Sequence, residues 1–127
     1  MSSKSPLGRA LGLGLVDGTH HGWLQRVTAV ALALLGPWFA ISLLLQPDLG
    51  YAHAHAWLAS PLNAVLMLLL VPALVYHSWL GVVVVIEDYV PAKSKKITAL
   101  LVVQFLHLLI GAAALFGVLK VALGSAA

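Results

Sequence analysis

The chain has 127 residues, 61% hydrophobic and 9% charged, with a mean hydropathy of +1.01. Too few polar side chains remain to cover a water-soluble domain, so the solvent is lipid. The formal net charge of +3 does not point to nucleic acid, because the basic residues are few and have no aromatic platform among them. The absence of cysteine excludes disulfides, thiolate zinc sites and iron–sulfur ligation by this chain.

Residues 1–25 read as an N-terminal segment lying along the membrane interface. Its apolar run, Ala10 to Val16, is short and broken by Gly12 and Gly14, and no small-x-small site precedes Asp17, so it reads as retained rather than as a cleaved signal. Near its end stand Gly18-Thr19-His20 and, six residues after that histidine, Arg26. Interfacial anchoring alone would account for both charged positions, and Trp23 fits an inner aromatic belt.

Three apolar stretches follow, Val27 to Leu45, Leu58 to Ile86 and Ile97 to Leu119, each near or above the about 20 residues that cross a bilayer. They predict helices over about 26–46, 58–87 and 96–120, hence an all-α, three-helix transmembrane bundle forming one membrane domain over 1–127. Between the first two lies Gln46-Pro47-Asp48-Leu49-Gly50, a turn composition. Tyr51 and Trp57 suit an outer aromatic belt, and His53 and His55 read as surface histidines with no metal role.

The second span carries the most chemistry. An ionisable side chain at bilayer depth is costly and usually faces the bundle interior, so His77 is a functional candidate; a hydrogen bond to a neighbouring helix is the plainer alternative. At 100° per residue Gly81 lies about 40° and Asp88 about 20° from His77, with Asp88 about 16 Å further along the axis. One stripe therefore carries an imidazole, a gap left by glycine and an acid. Pro72 predicts a bend near the histidine. Where the span runs out, Asp88-Tyr89 puts an acid and a phenol at the water boundary, a pairing suited to supplying protons to a lipid-soluble acceptor. Glu87 reads as a solvated neighbour.

The third span follows Pro91 and Lys93, Lys95 and Lys96. Its His107 lies at about the depth of His77, so a site with both histidines in this chain is open beside one shared with another chain. Gly111, Ala112, Ala113, Ala114 and Gly117 form a small-residue zone that permits close helix approach. Lys4, Arg9 and Arg26 precede the first span and three lysines fill the second loop, whereas the first loop has none and the far end only Lys120. This asymmetry predicts a cytoplasmic N-terminus and an outside C-terminus.

His77-Ser78-Trp79-Leu80-Gly81, with Asp88-Tyr89 following, and Gly18-Thr19-His20 with Arg26 ahead of the first span, resemble the smaller hydrophobic membrane-anchor subunit of succinate dehydrogenase, respiratory complex II, in the cytochrome b family. The matching motifs run in order from Gly18 to Val90; the third span matches only as an apolar stretch. The resemblance implies a haem b whose iron takes His77 as one axial ligand and a histidine of the larger anchor subunit as the other. It also implies that His20 and Arg26 meet the haem propionates, where a guanidinium pairs well with carboxylates. Tyr89 would donate a hydrogen bond to a ubiquinone carbonyl, with Asp88 supporting the site and its protons.

The partners implied are the larger cytochrome b anchor, the iron–sulfur protein and the flavoprotein, with FAD and iron–sulfur clusters confined to those partners. The setting implied is the bacterial inner membrane, or the mitochondrial inner membrane in a eukaryote. A haem-free structural anchor would keep the same helices, and a fumarate reductase anchor subunit would differ in direction more than in architecture. A small transporter would need polar residues along a midplane cavity, and few exist beyond Asn63, His77, Gln104 and His107.

Overall fold

The computed structural model describes residues 17–124 and is helical nearly throughout. Its elements in chain order are α1 (Asp17–Leu44), α2 (Tyr51–Ala59), α3 (Pro61–Tyr89) and α4 (Lys93–Gly124). Within α1, α3 and α4 the spans Gly22–Leu44, Pro61–Tyr89 and Lys93–Gly124 are long and apolar enough to cross a membrane. The all-α, three-span architecture expected from hydropathy is therefore the architecture found, with a short fourth helix between the first two spans.

The helices outrun the apolar stretches at several ends. α1 begins at Asp17 rather than near residue 26, so the last part of the interfacial segment continues the first span, and α4 runs on to Gly124. Hydropathy marks the part of a helix that lipid covers, whereas the backbone ladder continues until a turn or a proline stops it. α3 starts with Pro61 in its first turn, where a missing N–H costs nothing. It closes with Val90 N–H donating to Ile86 O at 3.0 Å, and Pro91 follows. Pro37 in α1 and Pro72 in α3 are both carried inside unbroken helices.

α2 directly follows the turn sequence, in a stretch that turn composition and hydropathy left outside the helices. A nine-residue helix is too short to persist by itself, so its support must come from outside. At its start Gly50 N–H donates to Asp48 Oδ1 at 2.7 Å, and His53 Nδ1 lies 3.0 Å from Asp48 Oδ2. A Cβ at residue 50 would sit 2.7 Å from Asp48 Oδ1, so a side chain there would push the carboxylate off the N–H it accepts from. Near the other end Trp57 stacks on Trp38 of α1 at 5.6 Å between ring centroids and meets Phe39 edge-on at 6.0 Å. Trp57 is thus a half-buried packing residue, while Tyr51 is 83% exposed. Asn63 Nδ2 donates to Trp57 O at 2.9 Å, tying the corner between α2 and α3.

α3 is the central element. α1 packs on it and α4 packs on it, yet α1 and α4 do not pack on each other. The buried apolar residues Ala64, Leu70, Val71, Leu80 and Ile86 all belong to α3, and Val118 of α4 joins them. The closest approach of α3 to a glycine of α4 is at Gly111, where an added Cβ would lie 3.4 Å from Val75 Cγ1. Of the small-residue zone, Gly111 is the member buried inside this chain; Ala112 and Ala113 are exposed and Gly117 looks onto open space. The bundle is open, with wide apolar flanks on α1 and α4.

Candidate functional site

His77 is half-buried on α3, at the level where α1 crosses. Its Nδ1 lies 3.0 Å from Thr28 Oγ1 of α1. The same hydroxyl oxygen is 2.8 Å from Leu24 O and 3.1 Å from Gln25 O, one turn back on its own helix. Among the described residues Nε2 of His77 has no hydrogen-bond partner. The interhelical hydrogen bond weighed as the plainer role is therefore present, and it uses only one of the two ring nitrogens.

Beside His77 the stripe of α3 is uncovered. An added Cβ at Gly81 would meet nothing within 4 Å. Leu74, Val84 and Val85, at about 60°, 20° and 80° from His77 on the helical wheel, are all exposed. Asp88, on the same stripe, and Tyr89 stand at the end of α3, exposed, and neither side chain is bonded within the described residues. Tyr89 is 79% exposed.

His107 takes a different course. Its Nδ1–H donates to Val103 O at 2.8 Å, and Ser78 Oγ–H donates to its Nε2 at 3.2 Å. Both nitrogens are thus engaged, and the contact on α3 is Ser78, about 100° round from His77. Val103 O belongs to the preceding turn of α4, so this ring bonds its own helix with one nitrogen and α3 with the other. With His107 the groove of about 500 Å³ between α3 and α4 is lined by Pro72, Tyr76, Gln104, Gly111 and Leu115.

Arg26 is an exposed residue of α1, two positions before Thr28. It stands within about 3 Å of Thr28 along the axis and about 200° round, on the side away from α3. His20 lies in α1, and its side chain falls outside the described residues. Thr28 and Ser78 are the residues that sequence reasoning missed. Thr28 was counted within an apolar run, and its only signal was a hydroxyl inside a span whose neighbour carries a histidine.

An open three-span bundle with a half-buried histidine and an acid–phenol pair at one rim defines a multi-span membrane protein whose apolar flanks are uncovered within this chain. Over residues 1–119 the sequence matches the model of the succinate dehydrogenase/fumarate reductase transmembrane subunit family, and the chain belongs to that family. It is 38% identical over 89 residues to the succinate dehydrogenase hydrophobic membrane anchor subunit of Rickettsia conorii, covering 69% of this chain and 71% of that one. With the subunit of the same name from Paracoccus denitrificans it shares 31% identity over 122 residues, covering 95% and 94% of the two chains. The Coxiella burnetii counterpart is 26% identical over 104 residues, 78% of this chain and 89% of its own. The resemblance drawn from the histidine and acid–phenol motifs thus stands at the level of the family, that of a membrane-embedded anchor subunit of a succinate dehydrogenase complex.

Proposed function

We propose that this chain is the smaller anchor of a succinate:quinone oxidoreductase, that it co-ligates haem b through His77 Nε2, and that it completes a ubiquinone-reduction site with Tyr89 and Asp88. The observation that carries the reading is the state of His77: one nitrogen held by α1, the other unbonded among the described residues, with Gly81 leaving open space one turn away on an uncovered stripe. Those features fit half of a two-histidine haem site. His107, the other histidine read at this depth, has both ring nitrogens engaged, so the second histidine for the iron is assigned to the larger anchor subunit. A haem held by two histidines supplies single-electron transfer and has no open coordination position.

The remaining roles fall to this chain's own groups. Tyr89 donates its hydroxyl proton in a hydrogen bond to a quinone carbonyl, and Asp88 beside it supports the site and its proton supply at the water boundary, where quinone reduction consumes two protons. Arg26 and His20 are assigned to the propionates, for which a guanidinium is a well-matched partner. The iron–sulfur and flavoprotein subunits dock on the lysine-rich side, which positive-inside bias makes the cytoplasmic face of a bacterial inner membrane.

The test is His77→Ala in the assembled complex, followed by haem stoichiometry and absorption spectrum; loss of the six-coordinate haem is expected. A normal spectrum would remove His77 from the iron. The Thr28 bond favours one second reading, a haem-free anchor in which His77 only joins α3 to α1, and this predicts no b-type bands in the wild-type complex.

A further inference from the structure

We infer that Thr28 is a positioning residue for the haem ligand: by accepting a hydrogen bond from His77 Nδ1–H it fixes the ring tautomer that leaves Nε2 as the electron-pair donor. The inference rests on the proposed ligation by His77 and adds the residue that prepares it.

A threonine hydroxyl has a single proton to give. Thr28 Oγ1 has three oxygen or nitrogen neighbours in bonding range, Leu24 O at 2.8 Å, Gln25 O at 3.1 Å and His77 Nδ1 at 3.0 Å. Carbonyl oxygens accept and cannot donate. Were the hydroxyl proton aimed at Nδ1, two carbonyl oxygens would face hydroxyl lone pairs at about 3 Å in a medium of low dielectric, which is unfavourable. Aimed at the carbonyls of its own helix, as helical threonines commonly are, the hydroxyl presents a lone pair to His77, and Nδ1 must then carry the ring proton. A neutral imidazole has one N–H, so Nε2 is left with a lone pair. Metal-bound histidines generally donate their second ring N–H to an oxygen that orients the ring and raises its basicity, and here that oxygen comes from a different helix.

A more basic ligand favours ferric over ferrous iron, so losing this bond should raise the haem midpoint potential and loosen the haem about 10- to 100-fold. The decisive contrast is between Thr28→Val, which keeps volume and loses the hydroxyl, and Thr28→Ser, which keeps the hydroxyl and loses a methyl. In the assembled complex we expect Val to raise the potential, shift the low-spin ferric electron-paramagnetic-resonance signal and lower haem retention, and Ser to match wild type. Properties that follow volume instead, with Val normal and Ser impaired, would overturn the inference in favour of plain packing. If the Val complex fails to assemble, Thr28→Ala against Thr28→Ser reads the same contrast. Loss of haem in His77→Ala with every Thr28 variant unchanged sinks only the role of Thr28; retained six-coordinate haem in His77→Ala sinks the ligation and this inference together.

Discussion

A neutral imidazole can do two things at once, and His77 is placed to do both. One nitrogen joins α3 to α1 through Thr28, which offsets the cost of a polar ring at membrane depth, while the other is unbonded among the described residues and is the one proposed to meet the iron. Tyr89 is the opposite case: at 79% exposure and without a bond to the described residues, its hydroxyl has no structural duty here. Tyr89→Phe should therefore leave assembly and haem content intact while slowing quinone reduction about tenfold, the worth of one hydrogen bond of roughly 1–1.5 kcal/mol. Electron transfer to a soluble dye, which bypasses the quinone pocket, should be unchanged; equal loss in both assays would count against a quinone contact.

Asp48 carries a pH prediction. The contact with His53, and after it the N–H of Gly50, holds its carboxyl below the ordinary aspartate range. A carboxylate depressed in the folded state contributes stability above its unfolded pKa and loses it as pH falls through the folded value. The start of α2 should accordingly be insensitive to acid down to about pH 4 and loosen below it. Amide exchange at Ala54, bonded to Gly50 O at 3.0 Å, would show this, and Asp48→Asn should abolish the pH dependence.

At the scale of elements, the three spans were legible because lipid demands an unbroken apolar run, and a histidine inside such a run announces itself. α2 was not legible: Asp48 and Gly50 do make the turn their composition suggests, but the nine residues after it pack on α3 and α4, and Trp57 finding Trp38 and Phe39 of α1 is a contact between segments that no local pattern encodes. The same limit hid Thr28, whose meaning depends on which α3 residue it faces. The small-residue zone was legible as a zone, though not as to which member meets α3. That difference is measurable. Gly111→Leu drives a side chain into Val75, already 3.4 Å from the Cβ position, and should destabilise the chain by about 1–3 kcal/mol. Gly117→Leu, facing open space, should leave the isolated chain's unfolding in detergent unchanged. Equal effects at the two positions would mean that α3 and α4 do not meet as described.

For the whole molecule, the open arrangement states what this chain lacks. From Gly22 onward no residue of α1 is buried, and α4 buries only Gly111 and Val118. Phe105, Leu109 and Phe116 form an exposed stripe along α4, within about 40° of one another. Acyl chains or a second anchor subunit satisfy such flanks equally well by hydrophobicity, so charge rather than burial sets which end faces the soluble partners. With Lys93, Lys95 and Lys96 at the start of α4 and no basic residue other than histidine between α1 and α3, the lysine end should lie in the cytoplasm. The absence of cysteine makes this directly testable by single substitutions on exposed positions. A membrane-impermeant maleimide added to intact bacterial cells, with the outer membrane permeabilised, should label Ala52→Cys in α2 and spare Ser94→Cys; Ser94→Cys should become reactive once the inner membrane is opened. The reverse pattern would put Asp88 and Tyr89, the residues proposed for the quinone site and sharing the lysine end, on the face away from succinate, and the assignment of the docking face would have to be abandoned.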